Sequence, residues 1–294
     1  MATRECRATA ALASLVASGG ALHDAYQSDK PVVLRDRVPV DRLPGSSEVN
    51  ELIDASLLRW PYFTVLKEGI RADRDLIFQA RQVGDRKIDG FMDPQGVCKA
   101  LADGATLRLG AVSDWHQVIR EMATDIMDAF PATLVKSFIF YTPAGQRGMV
   151  PHRDPARVIV IQVEGEKEWT LFDAPEDRNS RAGIDIDPDS AIDSFCLRPG
   201  DVLYLPHSYP HAATATSSTS SHVTFTFSEP TPLQLAESAI RAWRATLALD
   251  SIASDPLAPG EIRAGALVES LQRHLRKADP AALVASTAAD FLVR

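Results

Sequence analysis

The sequence predicts a mainly β core of antiparallel strands, a sandwich or barrel, preceded by mixed helix and strand and followed by helices. Three observations carry this. Between Thr133 and Phe227, short runs of β-branched and aromatic residues recur between Pro, Gly, Asp and Ser, with no room for a helix of ordinary length. After Pro230 and Pro232 apolar residues return at helical spacing, and before Pro131 the two textures alternate. The 294 residues therefore divide into a mixed flank over 1–130, a β-domain over 131–228 and a helical segment over 229–294.

In sequence order, Ala10 to Leu22 is helical in composition and is ended by Gly19-Gly20, and Pro31-Val-Val-Leu34 reads as a short strand. Val118, Ile119, Met122, Ile126, Met127 and Phe130 recur at helical spacing over Val112 to Phe130, with Ser113-Asp114 positioned to cap and Pro131 as the stop. The expected strands are Leu134 to Thr142, Arg157 to Val163, Glu168 to Phe172, Ser194 to Leu197, Asp201 to Leu205, His211 to Thr216 and Ser221 to Phe227. Three apolar stripes follow: Leu233, Ala236, Ile240, Trp243 and Leu247; then Leu267, Leu271 and Leu275; then Leu283, Val284, Phe291 and Leu292. Helices this few and short have to pack on the β-domain or on a second copy of the protein, and the second option makes a homodimer.

Composition narrows the function classes. With 39 Asp+Glu against 31 Lys+Arg the net charge is -8, which argues against a general nucleic-acid-binding surface. The three cysteines, Cys6, Cys98 and Cys196, form no C-x-x-C pair, and a reducing, cytoplasmic compartment is expected. Ala8 to Gly20 follows Arg4 and Arg7 but is Ala/Ser-rich and so reads as an amphipathic first helix, not a signal peptide. No stretch approaches ~18 consecutive apolar residues, so no membrane association is expected.

The chemistry sits in the β-region. Pro151-His152-Arg153-Asp154 opens the run of strands, and His211 follows Asp154 by 57 residues. On extended backbone residues i and i+2 share a face, so His152 and Asp154 can converge on one point, with a third ligand from another strand. Two imidazoles and a carboxylate make the facial triad of non-haem iron(II) oxygenases. Alone, H-x-D is a weak signal that arises often by chance and reads first as a surface-loop His beside an Asp. Gln162-Val-Glu-Gly165-Glu-Lys167-Glu-Trp169 adds a lysine one strand on, either a solvated hairpin residue or a cation deep in the barrel that needs an anionic partner. Leu197-Arg-Pro-Gly200-Asp201 makes a tight turn that launches the strand leading to His211. His207 competes with His211 as the distal ligand, and His222 reads as a core or supporting histidine.

Tyr141-Thr-Pro-Ala-Gly-Gln-Arg-Gly-Met-Val-Pro-His-Arg-Asp154, with the Lys167 segment, resembles the JmjC-type branch of the cupin superfamily over about residues 110 to 230. Within that branch it is most similar to the ribosomal-oxygenase subgroup. The resemblance implies a double-stranded β-helix (jelly roll) core and an iron(II)- and 2-oxoglutarate-dependent dioxygenase. His152, Asp154 and His211 then hold the metal, and Lys167 binds the distal carboxylate of 2-oxoglutarate. Where relatives often carry a polar residue that helps hold the co-substrate, this sequence has Phe138; Thr142, Ser220 and Thr224 are the polar residues available instead. The implied reaction takes 2-oxoglutarate and O2 to succinate and CO2 while hydroxylating an amino-acid side chain in a protein, a peptide or a free amino acid.

Rival expectations are a cupin metalloenzyme that does not use 2-oxoglutarate, a non-catalytic metal-binding module on the same barrel, and an N-methyl-lysine demethylase. The segment after Phe227 reads as helical, unlike the winged-helix domain in which larger relatives end, so a ribosomal-protein substrate does not follow from the resemblance. Asp185-Ile-Asp187-Pro-Asp189 lacks the Gly and Glu that would complete a calcium loop, with Ser190 and Cys196 at those positions. The stretch Asp173 to Asp193, with seven carboxylates and two arginines, is expected to be a solvated loop able to face a basic substrate at the barrel mouth.

Overall fold

The computed structural model describes residues 7–174, 183–246 and 259–292. It forms two compact units, one of residues 1–130 with 135–227 and one of residues 131–134 with 228–294. In the first, helices α1 (Arg7–Val16), α2 (Ala21–Ser28), α3 (Ser46–Ala55), α4 (Arg74–Ile77) and α5 (Pro94–Ala102) alternate with strands β1 (Val32–Leu34), β2 (Phe63–Lys67), β3 (Ile70–Arg71), β4 (Phe78–Val83), β5 (Arg86–Met92) and β6 (Thr106–Gly110). Then come α6 (Val112–Trp115), α7 (Gln117–Ala129) and the strands β7 (Leu134–Thr142), β8 (Arg157–Glu164), β9 (Lys167–Phe172), β10 (Ala191–Leu197), β11 (Val202–Leu205), β12 (His211–Ala215) and β13 (Ser220–Ser228).

The expected mainly β core with flanking helices is what the protein forms. An eight-stranded sheet of order β1-β11-β8-β13-β7-β6-β2-β3 faces a three-stranded sheet of order β10-β9-β12, and β4 and β5 make a separate hairpin. The named pairings are antiparallel. Between the two sheets Val158 and Val160 of β8 and Leu203 and Leu205 of β11 meet Trp169 and Leu171 of β9 and Leu197 of β10. These are alternate residues along each strand, so one face of each sheet supplies the barrel interior.

The seven expected strands of the β-region all occur, within one to three residues at their ends. The first 130 residues differ more. The helical run before Leu22 is two helices, because Gly19 takes φ +80° and breaks the ladder before Ala21 restarts it. The stretch from Val112 is likewise two helices, and Ser113-Asp114 is not the cap: His116 is, its Nδ1 accepting from the Ile119 N–H at 3.4 Å. Strands β1, β2 and β6 join the large sheet through partners far away in sequence, such as β1 on β11 and β6 on β7, and β3 adds to its edge as a hairpin with β2.

In the second unit α8 (Pro232–Thr246), α9 (Gly260–Lys277) and α10 (Pro280–Leu292) carry the three expected stripes, although Leu247 and the side chains of Phe291 and Leu292 lie outside the described residues. Leu267 and Leu275 on α9 remain exposed. None of the helices among the described residues is long and apolar enough to cross a membrane.

The turn before β9 is tightly built. Gly165 sits at φ +64°, and an added methyl would run into the Thr219 carbonyl oxygen. Gly165→Ala is expected to destabilise the fold by about 1–3 kcal/mol in chemical denaturation, since both the left-handed backbone and the contact oppose it.

Candidate active site

The three residues read as metal ligands come together through backbone pairing. His152 and His211 face each other across an isolated antiparallel bridge, each N–H donating to the other's carbonyl at 3.0 Å. This sets the imidazoles side by side, with ring centroids 4.4 Å apart. Asp154, two residues on from His152, brings its Oδ2 to 3.9 Å from His152 Nε2 and 3.8 Å from His211 Nε2. One ligand atom from each of the three lies within 4.8 Å of the others. The Asp154 carbonyl accepts from the Ser208 N–H, which ties the H-x-D segment to the loop before β12.

Each imidazole is oriented from behind. His152 Nδ1 lies 2.9 Å from the Val150 carbonyl oxygen and His211 Nδ1 2.9 Å from that of Tyr209. A carbonyl only accepts, so both Nδ1 atoms carry the proton and both Nε2 atoms present a lone pair toward Asp154. Burial, and next the nearby His152, lowers the pKa of His211 to about 4, which keeps that ring in the neutral form a metal requires. Donor type and convergence fit a divalent iron, with room left on the metal for further ligands.

A second centre lies deeper between the sheets. Lys167, the first residue of β9, is 3% exposed, and this overturns the solvated-hairpin alternative. Its Nζ donates to Thr142 Oγ1 at 3.0 Å and lies 3.3 Å from His222 Nδ1. Neither partner carries a compensating charge, and burial pulls the amine down to about 7. His222 is held well below the usual imidazole range, first by burial and then by Lys167, so it accepts from the amine as a neutral ring. Trp169 stacks on His211 at 5.7 Å and meets His222 edge-on at 5.8 Å, bridging the two centres. Its Nε1 and the Oε1 of Gln162 are buried without a hydrogen-bond partner among the described residues. A buried cation without a counter-ion, beside unsatisfied polar atoms, fits a bound dicarboxylate.

Residues 114–235 match the family model described as JmjC domain. That stretch, less than half of the 294 residues, is similar to a JmjC domain. Ribosomal oxygenase 2 of Rattus norvegicus is 33% identical over 106 residues, 35% of this chain and 22% of that protein. The bifunctional lysine-specific demethylase and histidyl-hydroxylase NO66 of Drosophila sechellia is 31% identical over 131 residues, 42% and 20% respectively. The matched region thus spans about a fifth of the length of these relatives. Among solved structures, Escherichia coli YcfD, a ribosomal oxygenase, in complex with cobalt and 2-oxoglutarate aligns with TM-score 0.54 and 17% identity over 87% of this chain and 67% of that one. At this identity the likeness is one of fold.

Of the other polar residues expected near the co-substrate, Thr142 stands at the Lys167 amine. Ser220 is engaged by Gln162 Nε2 at 2.8 Å, and Thr224 is buried two residues beyond His222 on the same face of β13. Phe138 points inward on β7 and lies beneath the Arg108 guanidinium, 5.4 Å from it. His207 is not one of the three residues whose ligand atoms converge. The described part of the acidic stretch includes Asp185, which pairs with Arg153 at 2.7 Å; residues 175–182 lie outside the described residues. The sequence motifs assign no role to Trp169 and leave His222 as a core or supporting residue. The period-2 alternation of β9 and β13 is the signal that finds both, since it aligns Trp169 with Lys167 and His222 with Thr224.

Proposed function

We propose that the protein is an iron(II)- and 2-oxoglutarate-dependent dioxygenase that hydroxylates an amino-acid side chain. The observation that carries this reading is the pairing, inside one barrel, of a convergent His-Asp-His set with a buried lysine that has no carboxylate partner among the described residues. A metal-binding cupin without 2-oxoglutarate has no use for that lysine, whose burial is unfavourable unless an anion joins it. The names of the relatives, ribosomal oxygenase and histidyl-hydroxylase, and the 2-oxoglutarate complex of the E. coli structure support the same chemistry and suggest a protein substrate.

In this reading His152, Asp154 and His211 hold iron(II), and Lys167 with Thr142 receives the distal carboxylate of 2-oxoglutarate. Iron(II) bound with 2-oxoglutarate and O2 supplies the oxidation of an unactivated C–H bond, with succinate and CO2 as co-products. The protein's own part is positional. Val150 and Tyr209 keep both imidazoles in the metal-binding tautomer through their carbonyls. Trp169, Leu171 and Leu203 form a dry wall that excludes bulk water from the barrel interior. Lys167 neutralises the far end of the co-substrate, which fixes its direction in the barrel.

Incubation of the full-length protein with iron(II), 2-oxoglutarate, O2 and candidate peptides and amino acids tests the reading by mass spectrometry. The expected result is a product heavier by one oxygen, formed with equimolar succinate. Oxidation that proceeds unchanged without 2-oxoglutarate would overturn it.

A further inference from the structure

Arg108 has no carboxylate within ion-pair distance among the described residues, although its side chain lies on the barrel-facing side of β6. Strand register sets it opposite Phe140 on β7 and Thr64 on β2. Two residues earlier on the same face, Thr106 Oγ1 meets Thr142 Oγ1 at 3.1 Å, and Thr142 is the partner of Lys167. Phe140 in turn stacks flat on His222, with centroids 5.0 Å apart. The guanidinium therefore shares a wall with the centre that receives the co-substrate.

Its contacts hold the fork in place without neutralising it. Nε donates to Thr64 Oγ1 at 3.1 Å, and Cζ stands 5.4 Å from the Phe138 centroid. Both terminal nitrogens lack a hydrogen-bond partner among the described residues. Phe138 and Phe140 are only half-buried although they point inward, so this wall opens to solvent and admits a ligand. Arg71, opposite Leu66 on β2, adds a second guanidinium on the same side. Burial, and then Arg71, lowers the pKa of Arg108, while the charge of Asp154 opposes them, so the cation feels the metal-binding carboxylate.

We propose that Arg108 binds a carboxylate of the substrate, so that the oxidised amino acid carries a free carboxylate near the reacting carbon, as a free amino acid, the last residue of a peptide or an acidic residue within one. This rests on the oxygenase reading. A planar, half-desolvated fork fixed by one neutral acceptor and one aromatic face is preorganised for a carboxylate, which it can meet with two parallel hydrogen bonds. Lys167 takes the co-substrate's distal carboxylate one step away, at Thr142, which leaves Arg108 for the second anion.

The test is equilibrium binding to the full-length protein, held anaerobic with iron(II) and saturating 2-oxoglutarate, read by thermal melting. The probes are the free L-amino acids, their α-amides, N-acetylated peptides with a free or an amidated C-terminus, and N-acetylated, C-amidated peptides with or without an internal Asp or Glu. At least one carboxylate probe is expected to bind about tenfold or more tightly than its amide. Arg108→Gln should bring that ratio to within about threefold of unity, and Arg108→Lys should retain part of it. Because each ratio is taken within one protein preparation, partial misfolding of a variant cancels. Free amino acids responding alone identify that source, N-acetylated peptides responding only with a free C-terminus identify the last residue of a peptide, and amidated acidic peptides responding identify the carboxylate of an internal Asp or Glu. The proposal is overturned if no carboxylate probe outbinds its amide, or if the ratio survives in Arg108→Gln. Absence of succinate from the aerobic wild-type enzyme would sink the oxygenase reading instead.

Discussion

His152→Ala is expected to remove stoichiometric iron(II) binding and to lower 2-oxoglutarate-dependent succinate formation by about a thousandfold or more, equivalent to roughly 4 kcal/mol in the barrier. The reason lies in how the site is built. His152 and His211 are a mutually hydrogen-bonded backbone pair, so the two imidazoles keep their spacing without help from a metal. Their Nδ1 protons are held by carbonyls, so the Nε2 lone pairs need no reorganisation to bind. Removing one ring leaves a single imidazole and Asp154, which is 36% exposed and easily hydrated, and two such donors hold iron(II) poorly. The backbone bridge does not depend on the imidazole, so the fold should survive, with a near-wild-type melting profile in the absence of metal. His207→Ala is the matched control. It removes an imidazole from the same loop region but outside the convergent set, and should leave iron content unchanged. Iron content measured after anaerobic reconstitution separates the two. Equal loss in both variants would mean that the loop as a whole, and not the convergent side chains, holds the metal.

The β-region is legible in the sequence because its determinants are local. Each strand from β7 to β13 is a short apolar or β-branched run between turn residues, and Pro199-Gly200-Asp201 marks one turn unambiguously: Gly200 takes φ +93° and Asp201 N–H closes on the Arg198 carbonyl. The convergence of His152 and Asp154 follows from the two-residue repeat of extended backbone. Long-range pairing is what the sequence does not display. Nothing local announces that β1 adds to β11 or that β6 lies beside β7, and the second pairing brings Arg108 and Thr106 to the barrel wall. The burial of Lys167 is equally hidden, because Gly165 makes a hairpin whether the lysine points inward or outward. Only the opposing sheet, which contributes Thr142 and His222, decides it.

Lys167→Met is expected to abolish 2-oxoglutarate-dependent turnover and yet stabilise the protein without co-substrate. The native amine is buried with two neutral partners, and burial brings its pKa to about 7 from the unfolded value of roughly 10.4. A basic group whose pKa is lowered on folding contributes stability that is complete above the unfolded pKa and is lost as pH falls toward the folded one. At pH 7 nearly all of that loss has occurred. Methionine fills similar space without a charge and should raise stability by an amount on the order of 3 kcal/mol, less the cost of the Thr142 Oγ1 and His222 Nδ1 contacts it gives up. The gain should shrink toward pH 10, where the native lysine is neutral when folded and increasingly so when unfolded. On the proposed reading of Lys167, the same lowered pKa should also govern co-substrate affinity in the native protein. Below about pH 7 the ammonium is already formed and meets the distal carboxylate directly. Above it the free protein holds a neutral amine that must take up a proton on binding, because the carboxylate favours the charged form. Affinity for 2-oxoglutarate should therefore weaken by up to about tenfold per pH unit above 7, until the pKa of the bound state is reached. Titration calorimetry at pH 8 in two buffers of different ionisation enthalpy should register uptake of close to one proton per 2-oxoglutarate bound. A purely structural lysine would give no proton uptake, and its replacement by Met would leave the pH dependence of 2-oxoglutarate binding where it was.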